Sequence, residues 1–165
     1  MNTEKFSSSI SIYDISINTL QVKPISLKEY KGKKILFVNV ASKCGFTPQY
    51  KGLESLFKEH KDKLMVIAIP CNQFGGQEPG EASDIQSFCE INYGVSFLIT
   101  EKTAVKGENK HPLYQWLTDK NLNGKKSSSV KWNFQKYLVD EKGEYIDYYF
   151  STTKPTSSKI VKHLK

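Results

Sequence analysis

Arginine is absent from this 165-residue chain, and all 24 of its basic residues are lysine. With 17 acidic residues the net charge is +7. Basic domains gain affinity for nucleic acid by counterion release, but two features weigh against that reading. The lysines are scattered among acids, as on a solvated surface. The guanidinium fork that best fits phosphate and guanine is missing. No apolar run approaches the roughly 20 residues of a membrane span, so no integral membrane contact is expected. Residues Met1–Ser8 are polar and lead into no long apolar segment, so no secretory leader is read.

Cysteine is scarce: Cys44, Cys71 and Cys89 are the only three. A small odd number excludes a disulfide-stapled extracellular scaffold and points to a reducing cytoplasm. No Cys-x-x-Cys occurs, because Thr47 stands three residues after Cys44. That excludes a dithiol oxidoreductase with a local pair. His60, His111 and His163 form no metal-ligand spacing with the cysteines. No bound metal, flavin or haem is expected, and His60 and His163 are expected to be solvated. Internal repeats and low-complexity linkers are missing too, so residues 1–165 are read as one domain. The aromatics are plentiful, with 9 Phe, 9 Tyr and 2 Trp spread along the chain, which excludes disorder.

The pattern along the chain is α/β. Ser9–Ile17 alternates isoleucines with polar residues, and a turn at Asn18-Thr19 predicts an N-terminal β-hairpin returning through Leu20 and Val22. Ser26 is placed to cap a short turn over Leu27–Tyr30. Ile35–Val40 and Leu64–Ile69 are continuous β-prone runs, as expected of strands covered on both faces. Between them a helix is predicted from about Thr47, capped by Thr47, with Pro48 at its first position. Further helices are predicted over Ser83–Glu90, Leu113–Leu117 and Pro155–Leu164. A third strand is predicted over Val95–Ile99, and a hairpin over Phe134–Val139 and Tyr145–Tyr149. Strand-helix-strand units imply a parallel pair, and the late hairpin adds antiparallel strands. The expectation is a thioredoxin-like fold: a mixed central sheet flanked by helices.

Cys44 lies between the first buried strand and its helix. A thiol there meets unpaired helix N–H groups and the positive end of the dipole, both of which favour thiolate. Lys43 adds positive potential, and Gly45 permits a close turn. An isolated intracellular cysteine is more often a buried small apolar residue. Its place at the carboxyl end of a sheet strand, where sites gather, favours a reactive one. Pro70-Cys71-Asn72-Gln73-Phe74-Gly75-Gly76-Gln77-Glu78-Pro79 is a shaped loop leaving the same sheet edge. No Gly-Lys-Ser/Thr follows its glycines, so it is not a phosphate loop.

Three segments together resemble the glutathione peroxidase family: Asn39–Thr47, Pro70–Pro79 and Lys131-Trp132-Asn133-Phe134. The resemblance runs from about Ile10 to Lys165. It implies reduction of hydrogen peroxide and organic or lipid hydroperoxides by a catalytic set of Cys44, Gln77, Trp132 and Asn133. Many animal members carry selenocysteine where Cys44 stands, so this chain resembles a cysteine-type member. The chemistry suits the set. A thiolate attacks one peroxide oxygen, and the departing oxygen needs donors. The amides of Gln77 and Asn133 and the indole of Trp132 supply N–H groups that do not titrate. Cys44 then becomes a sulfenic acid, the reversible first rung of thiol oxidation.

A second thiol must reset Cys44. The segment Ser87–Val95 resembles the one carrying the resolving cysteine in the thioredoxin-dependent branch, which implies that role for Cys89. A packing role for Cys89 in an amphipathic helix stands beside it. A disulfide needs Cα atoms within roughly 7 Å, so the Ser83–Glu90 helix is expected to unwind in turnover. Cys71, at a strand end, is expected to be structural. The glutathione-using tetrameric members have an added oligomerisation loop and arginines around the thiol. Here Gly107-Glu108-Asn109 runs almost directly into His111-Pro112 and arginine is lacking, so the resemblance implies thioredoxin as reductant and a monomer. One departure is Leu98 after Phe97, where proline is common; a looser loop near Cys89 is expected. Three other readings stand: a glutathione-dependent hydroperoxidase with Cys89 uninvolved, a peroxide-sensing redox relay, and a basic module binding RNA or acidic membranes.

Overall fold

The computed structural model describes residues 10–165, so Met1–Ser8 and Ser9 lie outside the described residues. The architecture follows from the alternation within two strands. In β3 (Lys34–Val40) Ile35 and Phe37 enter one core, while Leu36, Val38 and Val40 enter another. In β4 (Leu64–Pro70) Leu64, Val66 and Ala68 join Leu36, and Ile67 and Ile69 join Phe37. Both faces are buried, which is why each strand reads as an unbroken apolar run. Each fully buried aliphatic side chain contributes about 1.5–3 kcal/mol by transfer from water.

β3 and β4 pair in parallel, from Lys34 opposite Leu64 to Val40 opposite Pro70. β5 (Leu98–Ile99) lies parallel to β4. β6 (Lys136–Val139) runs antiparallel to β3, and β7 (Tyr145–Tyr149) antiparallel to β6. The order is β5-β4-β3-β6-β7, a mixed sheet. Helices α1 (Gln49–Glu59), α2 (Ala82–Tyr93) and α5 (Ser158–Val161) cover the Leu36 face. Helix α3 (Pro112–Thr118), the short α4 (Lys120–Asn123) and the hairpin β1 (Ser16–Asn18)/β2 (Pro24–Ser26) cover the Phe37 face. This is the thioredoxin-like arrangement expected from the sequence. No helix among the described residues is long and apolar enough to cross a membrane.

Several elements differ from their sequence expectation. The N-terminal segment is a 3-10 turn over Ile12–Asp14 before a strand of only three residues, and the return strand is Pro24–Ser26, beyond Leu20 and Val22. Ile10 and Ile12 have the strand spacing, but Ile12 and Ile15 are spaced for a helical turn, and these two are buried. Thr47 does not cap α1, which begins at Gln49 behind Pro48. α2 is longer than expected: the Asp84 carboxylate accepts from Glu81 N at 3.0 Å, and Gly94 in the left-handed region ends it. The loop near Cys89 is pinned, not loose. Glu54 accepts from Ser96 N at 2.8 Å and from Ser96 Oγ at 2.5 Å. His60 and His163 are half-buried rather than solvated, and His111 Nδ1 caps α3 by accepting from Leu113 N.

Candidate active site

The parallel register of β3 and β4 brings the loops after Val40 and Pro70 to one sheet edge. β6 runs the other way, so the segment before it, Lys131–Gln135, arrives at the same edge; Phe134 N donates to Asn39 O at 2.6 Å. The three sequence motifs therefore meet there. The Cys44 loop is tied down on both sides. Thr47 Oγ1 donates to Ala41 O at 2.8 Å and accepts from Cys44 N at 2.9 Å. Ser42 N donates to Glu78 Oε1 at 3.2 Å, and Lys43 N to Gln77 O at 3.1 Å. Cys44 keeps 8% exposure, and Phe46 N points at its Sγ from 3.3 Å. An N–H aimed at sulfur stabilises charge there.

Gly75 and Gly76 turn the second loop at φ +70° and +63°. A Cβ on Gly75 would stand 3.2 Å from the Trp132 ring, so bare backbone is what lets the indole lie close. The same ring meets the edge of Phe74, with centroids 5.8 Å apart. Asn133 is fully buried, and its Nδ2 donates to Gln77 Oε1 at 3.0 Å and to Phe74 O at 3.4 Å. Since a carbonyl only accepts, Phe74 O fixes which end of the Asn133 amide is nitrogen. Both Asn133 hydrogens are thus engaged, rather than aimed at the sulfur. Gln77 Nε2 and Trp132 Nε1, by contrast, donate to no protein group among the described residues. The geometry leaves two uncommitted donors, with Asn133 bracing one of them.

Asn39 is a residue that sequence reasoning missed. Its Nδ2 donates to Trp132 O at 3.0 Å and its Oδ1 accepts from Gln135 N at 3.2 Å. It holds the bend at Phe134, a non-glycine residue at φ +66°. Ser151 Oγ supports the same bend by donating to Asn133 O. Its polarity inside an apolar strand was the available signal for Asn39; nothing local marks Ser151.

All three cysteines are free and buried. Cys89 sits in α2 with no exposure, in one apolar cluster with Tyr50, and burial pushes its thiol up to about 11. It shares one apolar cluster with Cys44. Cys71 is fully buried and donates to Gln73 Oε1 at 3.3 Å; burial raises it as well, in keeping with a structural thiol.

The chain is similar to known proteins along most of its length. The glutathione peroxidase family model matches residues 12–118. A glutathione peroxidase-like peroxiredoxin of Chlamydomonas reinhardtii is 48% identical over 149 residues, 88% of this chain and 90% of that one. A hydroperoxy fatty acid reductase of Synechocystis is 45% identical over 153 residues, 88% of this chain and 89% of that one. The solved structure of Trgpx in its apo form superposes with a TM-score of 0.73 at 37% identity, covering 94% of this chain and 95% of that one. With the fold, the loops and these likenesses in agreement, the chain belongs to the glutathione peroxidase family and is a peroxidase built on a thioredoxin-like fold.

Proposed function

We propose that this peroxidase reduces hydroperoxides with Cys44 as nucleophile and Gln77 and Trp132 as donors to the reacting oxygens. One observation carries the reading: an amide points at Cys44 Sγ, the Gln77 backbone is bonded to Lys43 beside it, and the Gln77 and Trp132 side-chain N–H groups are uncommitted among the described residues. The Cys44 thiolate attacks one peroxide oxygen, the O–O bond breaks, and Cys44 becomes a sulfenic acid. The departing alkoxide or hydroxide is stabilised by the two donors and takes a proton from water. Each donor aimed at developing charge is worth about 2.7–4 kcal/mol. Asn133 acts by holding Gln77.

Cys89 then attacks the sulfenic sulfur, a disulfide forms and water leaves. Membership of Cys44 and Cys89 in one buried cluster supports this. Thioredoxin supplies the two electrons that reopen the disulfide. The lack of arginine supports it over glutathione, whose carboxylates arginine holds best. The Synechocystis relative's name supports organic hydroperoxides among the substrates. The protein works as a cytoplasmic monomer of one domain.

Thiol mapping tests this. The reduced protein receives one equivalent of peroxide, free thiols are blocked, and cysteine peptides are identified by mass. The expected product is a Cys44–Cys89 disulfide. Oxidised Cys44 with Cys89 free would shift the reductant to glutathione or a client protein. Unmodified Cys44 would overturn its role as nucleophile.

A further inference from the structure

Glu78 follows Gln77 in the loop and is 1% exposed, a carboxyl almost wholly inside the protein. Its Oε1 takes Ser42 N at 3.2 Å, but its Oε2 has no partner, and neither does the buried Ser42 Oγ. No ion pair among the described residues reaches it. It lines a cavity of about 310 Å³ whose far wall is Ile85 and Phe88 of α2. Ile85 and Cys89 lie one turn apart on the buried side of that helix. From α1, Tyr50 packs in the same apolar cluster as Cys89, its buried phenol oxygen without a hydrogen-bond partner. Glu78 is thus tied to the Cys44 loop through Ser42 and shares a cavity with α2, the helix that carries Cys89.

We propose that Glu78 is the proton shuttle of the resolving step, the attack of Cys89 on oxidised Cys44. The inference rests on the roles proposed above for those two cysteines. That step must remove a proton from Cys89 and deliver one to the leaving hydroxide. In the folded helix, burial holds the Cys89 thiol up, so its proton must be taken during the step. Glu78 stays fixed to the Cys44 loop through Ser42, so it waits where the two sulfurs must meet. Under the folded α2 its carboxyl is held up, chiefly by burial, with the Ser42 N–H bond and then Lys102 and Lys43 opposing. Tyr50 and Cys89 face it from the helices, and Asp84 lines the same cavity. When α2 opens, water reaches the carboxyl and the burial penalty falls. The acid then gives its proton to the hydroxide leaving the Cys44 sulfur. The resulting carboxylate takes the proton of Cys89 as the S–S bond forms. Cys44–SOH and Cys89–SH become a disulfide and water, and Glu78 ends as it began.

A plainer role, holding Ser42 N, would be served equally by glutamine, whose Oε1 accepts the same bond. The test is therefore Glu78→Gln in the full chain, mixed with one equivalent of hydrogen peroxide. Sulfenic acid and disulfide are quenched and quantified by mass over pH 5–9. General acid–base groups supply about 10²–10⁴-fold, so disulfide formation is expected to slow at least about tenfold while sulfenic acid forms at the parent rate. The parent rate falls as pH rises through the Glu78 value; the variant's rate only climbs with thiol ionisation. Glu78→Asp, which keeps a carboxyl, retains the parent's pH inflection at a reduced rate. Equal disulfide rates and pH profiles in parent and Glu78→Gln would overturn the shuttle alone. Equal slowing of both steps would also overturn it, leaving a loop-positioning role. A parent that forms no Cys44–Cys89 disulfide would overturn the resolving role of Cys89 and the shuttle with it.

Discussion

Gly75 is constrained twice over. Its φ of +70° disfavours any side chain, and a Cβ would meet the Trp132 ring at 3.2 Å. Gly76 carries the first constraint without the second, since nothing lies within 4 Å of its added Cβ. The pair separates strain from displacement. Alanine in the left-handed region costs about 1–2 kcal/mol, so both variants should lose about that much in urea unfolding. Only Gly75→Ala should also lose peroxide reduction, by several-fold, because the Trp132 ring must give by a few tenths of an ångström and the proposed donor leaves its alignment. Single-turnover peroxide consumption makes the comparison; equal activity in the two variants would remove Trp132 from the reaction. At this scale the sequence is legible unevenly. Cys44 can be argued from its place between a strand and a helix. Trp132 and Asn133 lie far along the chain, and only a family motif joins them to it. Glu78 has no signature, because burial of one carboxylate in a Pro/Gly-rich loop leaves no mark on composition.

α2 is well terminated but thinly anchored. Of its twelve residues only Ile85 and Cys89 are fully buried, and Ile91 is 81% exposed. Elements with few buried contacts open below the global unfolding energy, which suits the proposed release of Cys89 from this helix. Its C-terminal lock is Gly94 at φ +57°, with nothing within 4 Å of an added Cβ. Gly94→Ala should therefore strain the helix end by about 1 kcal/mol without a clash, raising the open population about fivefold. Disulfide formation should speed up by as much, with sulfenic acid formation unchanged and amide exchange faster over residues 82–93. Unaltered disulfide formation despite faster exchange would mean that α2 opening does not limit the step. The element boundaries show what sequence patterns resolve. α2 exceeds its expected span because the Glu81–Asp84 pairing and Gly94 decide its ends, whereas apolar spacing marks only its middle. The N-terminal isoleucines satisfy two periods at once, and tertiary packing chose the turn.

Across the whole molecule, the two-faced sheet was legible because β3 and β4 are apolar throughout and separated by a helix. What holds the antiparallel half was not, because it depends on a lysine inside an otherwise apolar strand. Lys136 of β6 is wholly buried, and its Nζ donates to Gln49 Oε1 at 2.6 Å, Ser151 O at 3.3 Å and Thr153 O at 2.5 Å. It bolts the start of α1 and the turn after β7 to the sheet, and Ser151 passes the support to Asn133. Burial draws Lys136 down to about 7 from its ordinary 10.5. Between those values the unfolded chain binds a proton that the folded chain lacks, so stability rises with pH across that window. One such group gives at most about 1.4 kcal/mol per pH unit, and the three acceptors, which favour the ammonium, reduce it. Cys71 and Cys89, raised by burial, act in the opposite sense above about pH 8.5, where unfolded thiols ionise. Both opposing groups are common to a Lys136→Met variant. The difference in urea unfolding energy between parent and variant should therefore move in the parent's favour from pH 7 to 8.5. A flat difference would mean that the three acceptors keep the ammonium charged inside the folded protein.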